Sequence, residues 1–387
     1  MDVCISYGDE DEAQAAGRHR ALKYMPRESA ETGGQNKSST ISRRSGRFLA
    51  GLEAFRGAIL VSHIHPDPDS LGSMVGLAHL IETCVEIPVQ ITQDGPICRA
   101  ENRAMVETLD LHLTPINEVK WTGRQAVVMV DSQPKTGRHS FNGEANIYAV
   151  IDHHQTPGNL EGVPFLDIRR NVGATCSLVT RYLSEQEIGI PEHVATSLFY
   201  GIETELSGYP RDASAIDELA LQTLYPLVDR DEIAKIKNAP LPESFYESLL
   251  QALQSSFIYE KLLISWINDL PNPELCSQCV EFLIRHEEIQ WAICAGVHDN
   301  QLVLSVRTQI PRAHAGEILR QVVQKMGGRA GGHDRRAGGF IPLSSMSPSA
   351  IEQVQSEFRR RMLKILQIEE TRGRRLVSRG EMMRNIL

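Results

Sequence analysis

The sequence predicts an α/β protein whose first domain contains a mainly parallel sheet, with a smaller α+β domain behind it. Residues 58–62, 126–130 and 147–151 are continuous apolar runs, which are typical of strands buried on both faces. Segments of helical composition lie between and after these runs, and such alternation indicates a parallel sheet. Beyond the Pro-rich stretch 270–273, strand and helix patterns begin again in shorter pieces, which indicates a second domain.

The first part of the chain follows this order. Residues 1–45 are polar, rich in Ser, Gly and Arg, and are expected to form a flexible leader. The helical segments of the first domain are predicted at 71–86, 101–111, 174–183 and 193–202. These helices alternate with the three apolar runs and complete the α/β pattern.

The second part of the chain is organised differently. Residues 226–269 are helical in composition. Strands are then predicted at 291–295 and 302–306, with a turn at Asp299-Asn300 between them, followed by a helix over 313–326, a glycine-rich loop and a strand over 340–343. The expected units are a leader (1–45), a first domain (46–225), a helical connector (226–270), a second domain (271–345) and a C-terminal helix with a basic tail (346–387).

Composition limits the classes of function. The net charge of −9 disfavours a protein that coats long nucleic acid, although a small anionic substrate in a local basic pocket is compatible with it. Seven cysteines at irregular spacings are not a secreted disulfide framework. No run reaches the roughly 18 apolar residues of a membrane span, and acidic residues stand at 9–12, where a signal peptide would carry basic ones. We therefore expect a cytoplasmic protein that does not bind membranes.

Side chains that can bind metal follow each of the three apolar strands. They are His63, His65, Asp67 and Asp69 after the first strand, Asp131 after the second, and Asp152, His153 and His154 after the third. Sites in open α/β sheets form outside the carboxyl ends of strands, so these groups are expected to converge. Carboxylate and imidazole together favour Mn, Mg, Zn or Fe. So many carboxylates in one crevice repel each other unless cations neutralise them, which points to two metals and hydrolysis of a phosphate ester.

Five ordered motifs resemble those of the DHH phosphoesterase superfamily, including the signature of its DHH-associated domain. They are 63–73 (His-x-x-Pro-Asp-x-Asp-Ser-Leu-Gly-Ser), 130–132 (Val-Asp-Ser), 151–154 (Ile-Asp-His-His), 201–205 (Gly-Ile-Glu-Thr-Glu) and 331–340 (Gly-Gly-His-Asp-Arg-Arg-Ala-Gly-Gly-Phe). The resemblance covers residues 50–345. It implies a DHH metal-binding domain followed by a DHH-associated substrate-binding domain.

The resemblance also implies roles for individual residues. One metal would be held by His63, Asp67 and Asp131, and the other by Asp69, Asp131, His153 and Glu205, with Asp131 bridging. His154 would act with Asp131 in catalysis, by contacting the scissile phosphate, and Asp152 would orient the histidines. Substrate would be bound by Arg307, Gly331, Gly332 and His333. The implied cofactor is Mn²⁺, as two ions, with Mg²⁺ as the other candidate.

The fourth motif departs from the family pattern, because Glu205 stands where aspartate is usual. Metal geometry is sensitive to the additional methylene. Two alternatives follow: Glu205 would reach the second metal with a small backbone change, or Glu203 would take its place.

The leading hypothesis is a metal-dependent hydrolase, similar to the oligoribonuclease branch, that acts on short oligonucleotides, dinucleotides or nucleoside bisphosphates. The alternative is a nucleotide-binding regulator whose second metal site is weakened at Glu205. A third reading is nucleic-acid binding through the basic tail, where nine Lys or Arg lie between Arg359 and Arg384. A homodimer is compatible with the sequence, which does not define the oligomeric state.

Overall fold

The structure is a computed structural model that describes residues 43–137, 139–141, 147–154, 158–206 and 213–377. All of the predicted leader except residues 43–45 lies outside the described residues, and so does the end of the basic tail (378–387). The described chain contains two sheets. We call residues 43–237 the first lobe and residues 243–377 the second lobe.

The first lobe is built on a parallel sheet of six strands in the spatial order β3-β2-β1-β4-β5-β6. The three apolar runs become its central strands, where every residue of β1 and β4 is buried, and the predicted α/β class is confirmed. The strands are β1 (Ala58–Val61), β2 (Val89–Gln93), β3 (Thr114–Pro115), β4 (Ala126–Val130), β5 (Ile147–Asp152) and β6 (Phe165–Ile168).

Seven α-helices of the described chain belong to the first lobe. They are α1 (Arg44–Leu52), α2 (Pro68–Cys84), α3 (Ala100–Thr108), α4 (Thr175–Glu185), α5 (Glu192–Leu206), α6 (Ala215–Leu224) and α7 (Arg230–Lys237). Helices α2 and α5 approach closely at Gly72, where a Cβ atom would collide with the carbonyl oxygen of Ser197. This approach holds the beginning of α2 against the carboxyl edge of the sheet.

The second lobe is built on a mixed sheet of seven strands in the order β11-β12-β10-β9-β8-β7-β13. Only the β8–β9 pair is parallel. The strands are β7 (Phe257–Tyr259), β8 (Leu262–Ile267), β9 (Trp291–His298), β10 (Gln301–Thr308), β11 (Arg329–Gly332), β12 (Arg336–Pro342) and β13 (Arg374–Arg375). The helices of this lobe are α8 (Glu243–Ser255), α9 (Glu274–Leu283), α10 (Ala315–Gln324) and α11 (Pro348–Ile365).

The predicted helical connector is helical only as far as Ser255, which corrects the sequence-based interpretation of residues 226–270. Helix α7 packs on the core of the first lobe through Ile233 and Ile236. Helix α8 packs on the second lobe through Ala252, and strands β7 and β8 follow it directly. The run 257–267 is rich in Leu, Ile and aromatic residues, and its pairing with β9 makes it sheet rather than helix.

The glycine-rich segment also differs from the expected loop, because it forms a hairpin of β11 and β12. Gly331 pairs with Gly338, and Gly332 pairs with Ala337. Gly332 has a φ of 139°, and a Cβ atom there would collide with the carbonyl oxygen of Arg336, so no other residue fits. The hairpin carries residues 333–335 at its tip.

Within the described ranges, no helix is both long enough and apolar enough to cross a lipid bilayer.

Helix α11 lies beyond the predicted end of the second domain, yet its Phe358 is fully buried in the core of the second lobe. We expect Phe358→Ala to lower the free energy of unfolding by about 3–5 kcal/mol, because it leaves a cavity. Chemical denaturation measures the change, with Gln353→Ala on the exposed side of the same helix as the control. Equal stability of the two variants would contradict the placement of α11.

Candidate metal centre

The predicted metal ligands converge at the carboxyl edge of the first sheet. The chain after β1 returns towards β2, whereas the chain after β4 returns towards β5, so the strand order reverses between β1 and β4. Loops diverge at such a switch point and leave a crevice, which is where ligands bind in open α/β sheets. The residues that follow β1, β4 and β5 all line this crevice, as the sequence predicts.

Asp131 lies at the centre of the crevice. It directly follows β4 and has a φ of 55°, a conformation that few residues other than glycine adopt. Its amide donates to the carbonyl oxygen of Ile151 at 2.9 Å, which ties it to β5. Its two carboxylate oxygens accept hydrogen bonds from different partners, Oδ2 from Ser70 Oγ and Oδ1 from Thr175 Oγ1, each at 2.9 Å.

The first ligand set consists of His63, Asp67 and Asp131, whose ligand atoms lie within 4.8 Å of one another. His63 Nε2 is 3.5 Å from Asp131 Oδ2 and 3.7 Å from Asp67 Oδ2. His63 Nδ1 donates to the carbonyl oxygen of Ile64 at 2.9 Å, so the Nε2 atom faces the carboxylates. A histidine ligand oriented through its other ring nitrogen is the usual arrangement at metal sites.

The second ligand set consists of Asp69, Asp131 and His153, whose ligand atoms also lie within 4.8 Å of one another. His153 Nε2 is 3.4 Å from Asp131 Oδ1 and 3.7 Å from Asp69 Oδ2. The Asp69 carboxylate accepts the backbone N–H groups of Thr175 and Cys176, both at 2.8 Å. These amides belong to the first turn of α4, which has no intrahelical acceptor for them, so the helix fixes the orientation of Asp69.

The electrostatics of the second set favour a cation. Burial and the negative charge of Asp131 raise the pKa of Asp69 well above its usual range. Burial alone would lower the pKa of His153, but the charges of Asp131 and Asp69 outweigh it and raise this pKa to about 9. Two buried carboxylates that repel each other beside an imidazole donor fit hard or borderline divalent ions such as Mn²⁺, Mg²⁺, Zn²⁺ or Fe²⁺.

His154 lies at the rim of this centre, and the buried carboxylate of Asp152 orients its ring. Its Nδ1 donates to Asp152 Oδ1 at 2.8 Å, and the other oxygen of Asp152 accepts from Gln133 Nε2 at 2.7 Å. Asp152 is completely buried, and its position agrees with the predicted orienting role. The ring of His333 reaches the centre from the second lobe. Its centroid is 5.0 Å from the centroid of the His154 ring and 5.6 Å from that of the His153 ring.

Glu205 lies near the second set but outside it. Its Oε2 atom is 3.5 Å from Arg336 Nη1 of the second lobe, so its carboxylate takes part in a contact between the lobes. Glu203, the alternative ligand, pairs with Lys237 at 2.5 Å. The structure therefore brings neither glutamate into a ligand set, and a metal-binding role for Glu205 stays a prediction.

The predicted substrate-binding residues lie in two places. Gly331 and Gly332 are in the β11–β12 hairpin, which presents His333 to the metal centre. Arg307 lies on β10, in a cavity of about 960 Å³ between the lobes that Asp67 also lines. Of the two ligand sets, Asp67 shares this cavity with Arg307.

Three supporting residues were not identified from the sequence. Ser70 and Thr175 bind Asp131, and Gln133 binds Asp152. Ser70 follows Asp69 within the first motif, and Thr175 stands at the beginning of a predicted helix. Both positions could therefore be identified from the sequence as neighbours of the site. Nothing in the local sequence distinguishes Gln133 from an ordinary loop residue.

Comparisons with known proteins agree with this arrangement. Residues 58–202 match the DHH family, N-terminal domain, and residues 256–362 match the DHHA1 domain. The structure resembles the crystal structure of an exopolyphosphatase-related protein from Bacteroides fragilis, with a TM-score of 0.64, 14% identity and coverage of 83% of this chain and 97% of that one. This likeness concerns the fold.

Two curated proteins are similar in sequence. An uncharacterized protein of Methanocaldococcus jannaschii is 27% identical over 318 residues, which are 81% of this chain and 64% of that protein. A probable manganese-dependent inorganic pyrophosphatase of Streptococcus agalactiae is 23% identical over 148 residues, which are 37% of this chain and 46% of that protein. The chain thus spans less than two thirds of the length of these relatives.

Binding of a divalent ion can be measured through stability. We expect Mn²⁺ at 100 times its Kd to stabilise the wild type by about 2.7 kcal/mol, because ligands that bind only the folded state favour it. Asp131→Asn should remove this effect, because Asp131 belongs to both ligand sets. Thermal unfolding with Mn²⁺ and with EDTA measures the difference. Glu203→Gln is the matched control, and loss of the Mn²⁺ effect in this control would contradict the assignment.

Proposed function

The chain belongs to the DHH family and has its phosphoesterase fold, and from that premise we propose that it is a metal-dependent phosphodiesterase or phosphatase. The proposed substrates are short oligonucleotides, dinucleotides or nucleoside bisphosphates. The observation that carries this proposal is the pair of ligand sets that share Asp131 across the carboxyl ends of β1, β4 and β5.

The two ligand sets define where ions would bind. His63, Asp67 and Asp131 would hold one ion, and Asp69, Asp131 and His153 the other. When bound, a pair of divalent ions lowers the pKa of water and stabilises charge on phosphoryl oxygens. We propose Mn²⁺ as the cofactor, with Mg²⁺ as the second candidate, because the donors are only carboxylate and imidazole. The name of the Streptococcus relative agrees with manganese.

We propose that His154 contacts the scissile phosphate. Its Nδ1–H is engaged by Asp152, so the opposite edge of the ring is available to hydrogen-bond a phosphoryl oxygen or to move a proton at Nε2. Gln133 holds the second oxygen of Asp152 and thereby keeps the carboxylate in place. His333 approaches from the second lobe, where it would bind the same phosphate.

The size and lining of the cavity support a nucleotide substrate. A volume of about 960 Å³ lies at the upper end of the range for small-molecule sites, and it is far larger than a pyrophosphate requires. The cavity lining includes Arg99, Arg307 and Arg336, and arginine forks suit phosphate groups. A cytoplasmic location and a homodimer stay predictions.

The second candidate function is a nucleotide-binding regulator with little turnover. Glu205 favours it, because this residue replaces the usual aspartate and pairs with Arg336 instead of joining a ligand set. In that case Glu205→Asp, which restores the family pattern, should raise turnover with Mn²⁺. If the wild type is already an efficient enzyme, Glu205→Asp should change its turnover little.

A substrate panel tests the proposed function. With Mn²⁺ present, we expect product release from short RNA or a linear dinucleotide, or from a nucleoside bisphosphate, and none from pyrophosphate. Asp131→Ala and His153→Ala should each reduce turnover by more than about 100-fold, because ligand loss exceeds the usual effect of losing a supporting residue.

The control for this panel is Lys237→Ala, which removes the partner of Glu203 outside the metal centre. Turnover by either ligand variant at the wild-type rate would overturn the two-metal assignment. Nucleotide binding without any turnover in the wild type would instead support the regulator.

A further inference from the structure

Three histidines meet between the two lobes and form a further group of metal-binding side chains. His153 and His154 follow β5 in the first lobe, whereas His333 lies at the tip of the β11–β12 hairpin in the second. One ring nitrogen of each histidine lies within 4.8 Å of a ring nitrogen of the other two. This group, which we call the histidine set, differs from the first and second ligand sets because it contains no carboxylate.

His154 is oriented as metal-binding histidines usually are. Its Nδ1 donates to the buried carboxylate of Asp152 at 2.8 Å, which leaves Nε2 as the nitrogen that can bind an ion. A carboxylate behind a histidine fixes the tautomer of the ring and raises the basicity of the ligating nitrogen. The ring of His154 is therefore already in the tautomer that a cation requires.

His153 has one ring nitrogen to offer, and two sets share it. Its Nδ1 donates to the carbonyl oxygen of Val172 at 3.2 Å. Its Nε2 is 3.4 Å from Asp131 Oδ1 and 3.7 Å from Asp69 Oδ2, so this nitrogen belongs to the second ligand set. An ion held by the histidine set would take the same nitrogen. The histidine set and the second ligand set therefore exclude each other.

His333 makes the histidine set a link between the lobes. Its backbone N–H donates to the carbonyl oxygen of Arg336 at 2.8 Å, which closes the tip of the hairpin. Its ring lies on that of His153, with an angle of 29° between the two ring planes. An ion bound by all three histidines would hold the hairpin against the first lobe.

Three imidazoles select divalent ions differently from the sets that contain carboxylates. Imidazole suits Zn²⁺, Cu²⁺ and Ni²⁺, whereas carboxylate oxygens suit Mn²⁺ and Mg²⁺. Three histidines with an open fourth position are a known tetrahedral arrangement for Zn²⁺. The negative charges of Asp131, Asp69 and Glu205 act on His153 and favour a cation beside it. The chemistry of the histidine set therefore fits Zn²⁺ better than Mn²⁺.

We propose that His153, His154 and His333 form a third metal site, which takes Zn²⁺ and thereby inhibits the protein. Zn²⁺ there would remove His153 from the second ligand set and would occupy the two histidines that the proposed function assigns to the phosphate. The site itself does not depend on the proposed function, whereas the inhibition of turnover rests on it.

Zn²⁺ binding without substrate tests the site. The metal alone is titrated by calorimetry into the wild type, Asp69→Asn, His333→Ala, the double variant Asp69→Asn/His333→Ala and His112→Ala. Asp69 belongs only to the second ligand set and His333 only to the histidine set, so their substitutions separate the two sites. His112 is an exposed histidine of the first lobe and serves as the matched control.

We expect the wild type, Asp69→Asn and His112→Ala each to bind two Zn²⁺ per chain, one in the first ligand set and one in the histidine set. The double variant should keep only the ion of the first ligand set. Its second ion should bind more than about 100-fold more weakly, because losing a ligand exceeds the usual effect of losing a supporting residue. Mn²⁺ should stabilise His333→Ala as much as the wild type, which shows that this variant is folded.

Two results would overturn the third site. If Asp69→Asn binds only one Zn²⁺, the second ion of the wild type lies in the second ligand set. If the double variant still binds two Zn²⁺ as tightly as Asp69→Asn does, His333 is not a ligand.

Displacement of Mn²⁺ tests the competition for His153. Zn²⁺ added to the Mn²⁺-loaded wild type should release one Mn²⁺ per chain, which electron paramagnetic resonance detects as the free ion. The Zn²⁺ concentration that this requires should be at least about tenfold higher for His333→Ala, because the histidine set is then incomplete. An equal requirement in the two proteins would overturn the inhibition by the third site.

Turnover is measured separately with the same additions of Zn²⁺. If the wild type hydrolyses a substrate of the panel, Zn²⁺ should stop turnover at the concentration that releases Mn²⁺, and continued turnover would overturn the inhibition. A wild type that binds Zn²⁺ through His333 but hydrolyses no substrate would reject the proposed function alone.

Discussion

The structure depends on the carboxylate of Asp131, which holds together the parts of the first lobe that carry chemistry. Its backbone is tied to β5, and its two oxygens bind the beginning of α2 through Ser70 and the beginning of α4 through Thr175. The same oxygens face His63 on one side and His153 on the other. The left-handed backbone of Asp131 is a local cost that these contacts offset, as is common at functional sites.

The sequence predicts the centre of the first lobe well, for a physical reason. Strands β1, β4 and β5 are buried on both faces, so their composition is almost free of polar residues and easy to recognise. The strand ends then predict which polar residues meet, because parallel strands share one carboxyl edge. The two ligand sets follow from the resemblance together with this geometry, and the structure brings their members together.

Other strands and side-chain positions could not be predicted, because contacts between residues far apart in the sequence determine them. Strand β3 has only two residues, and β7 and β8 become sheet through pairing in the second lobe. The side chain of Glu205 is directed by Arg336, which lies 131 residues further on, and a motif comparison does not reveal such a partner. Gln133, in the loop after β4, donates to Asp152 at the end of β5.

The division of the site between two lobes has a consequence for protein synthesis. Both ligand sets are complete once the residues up to the end of α5 have emerged, whereas His333 lies about 130 residues further along the chain. At 5–20 residues per second, the ribosome needs roughly 6–25 s to make that stretch. A nascent chain can therefore fold its acidic crevice, and meet cellular cations, well before it acquires the lobe that brings His333 to the crevice.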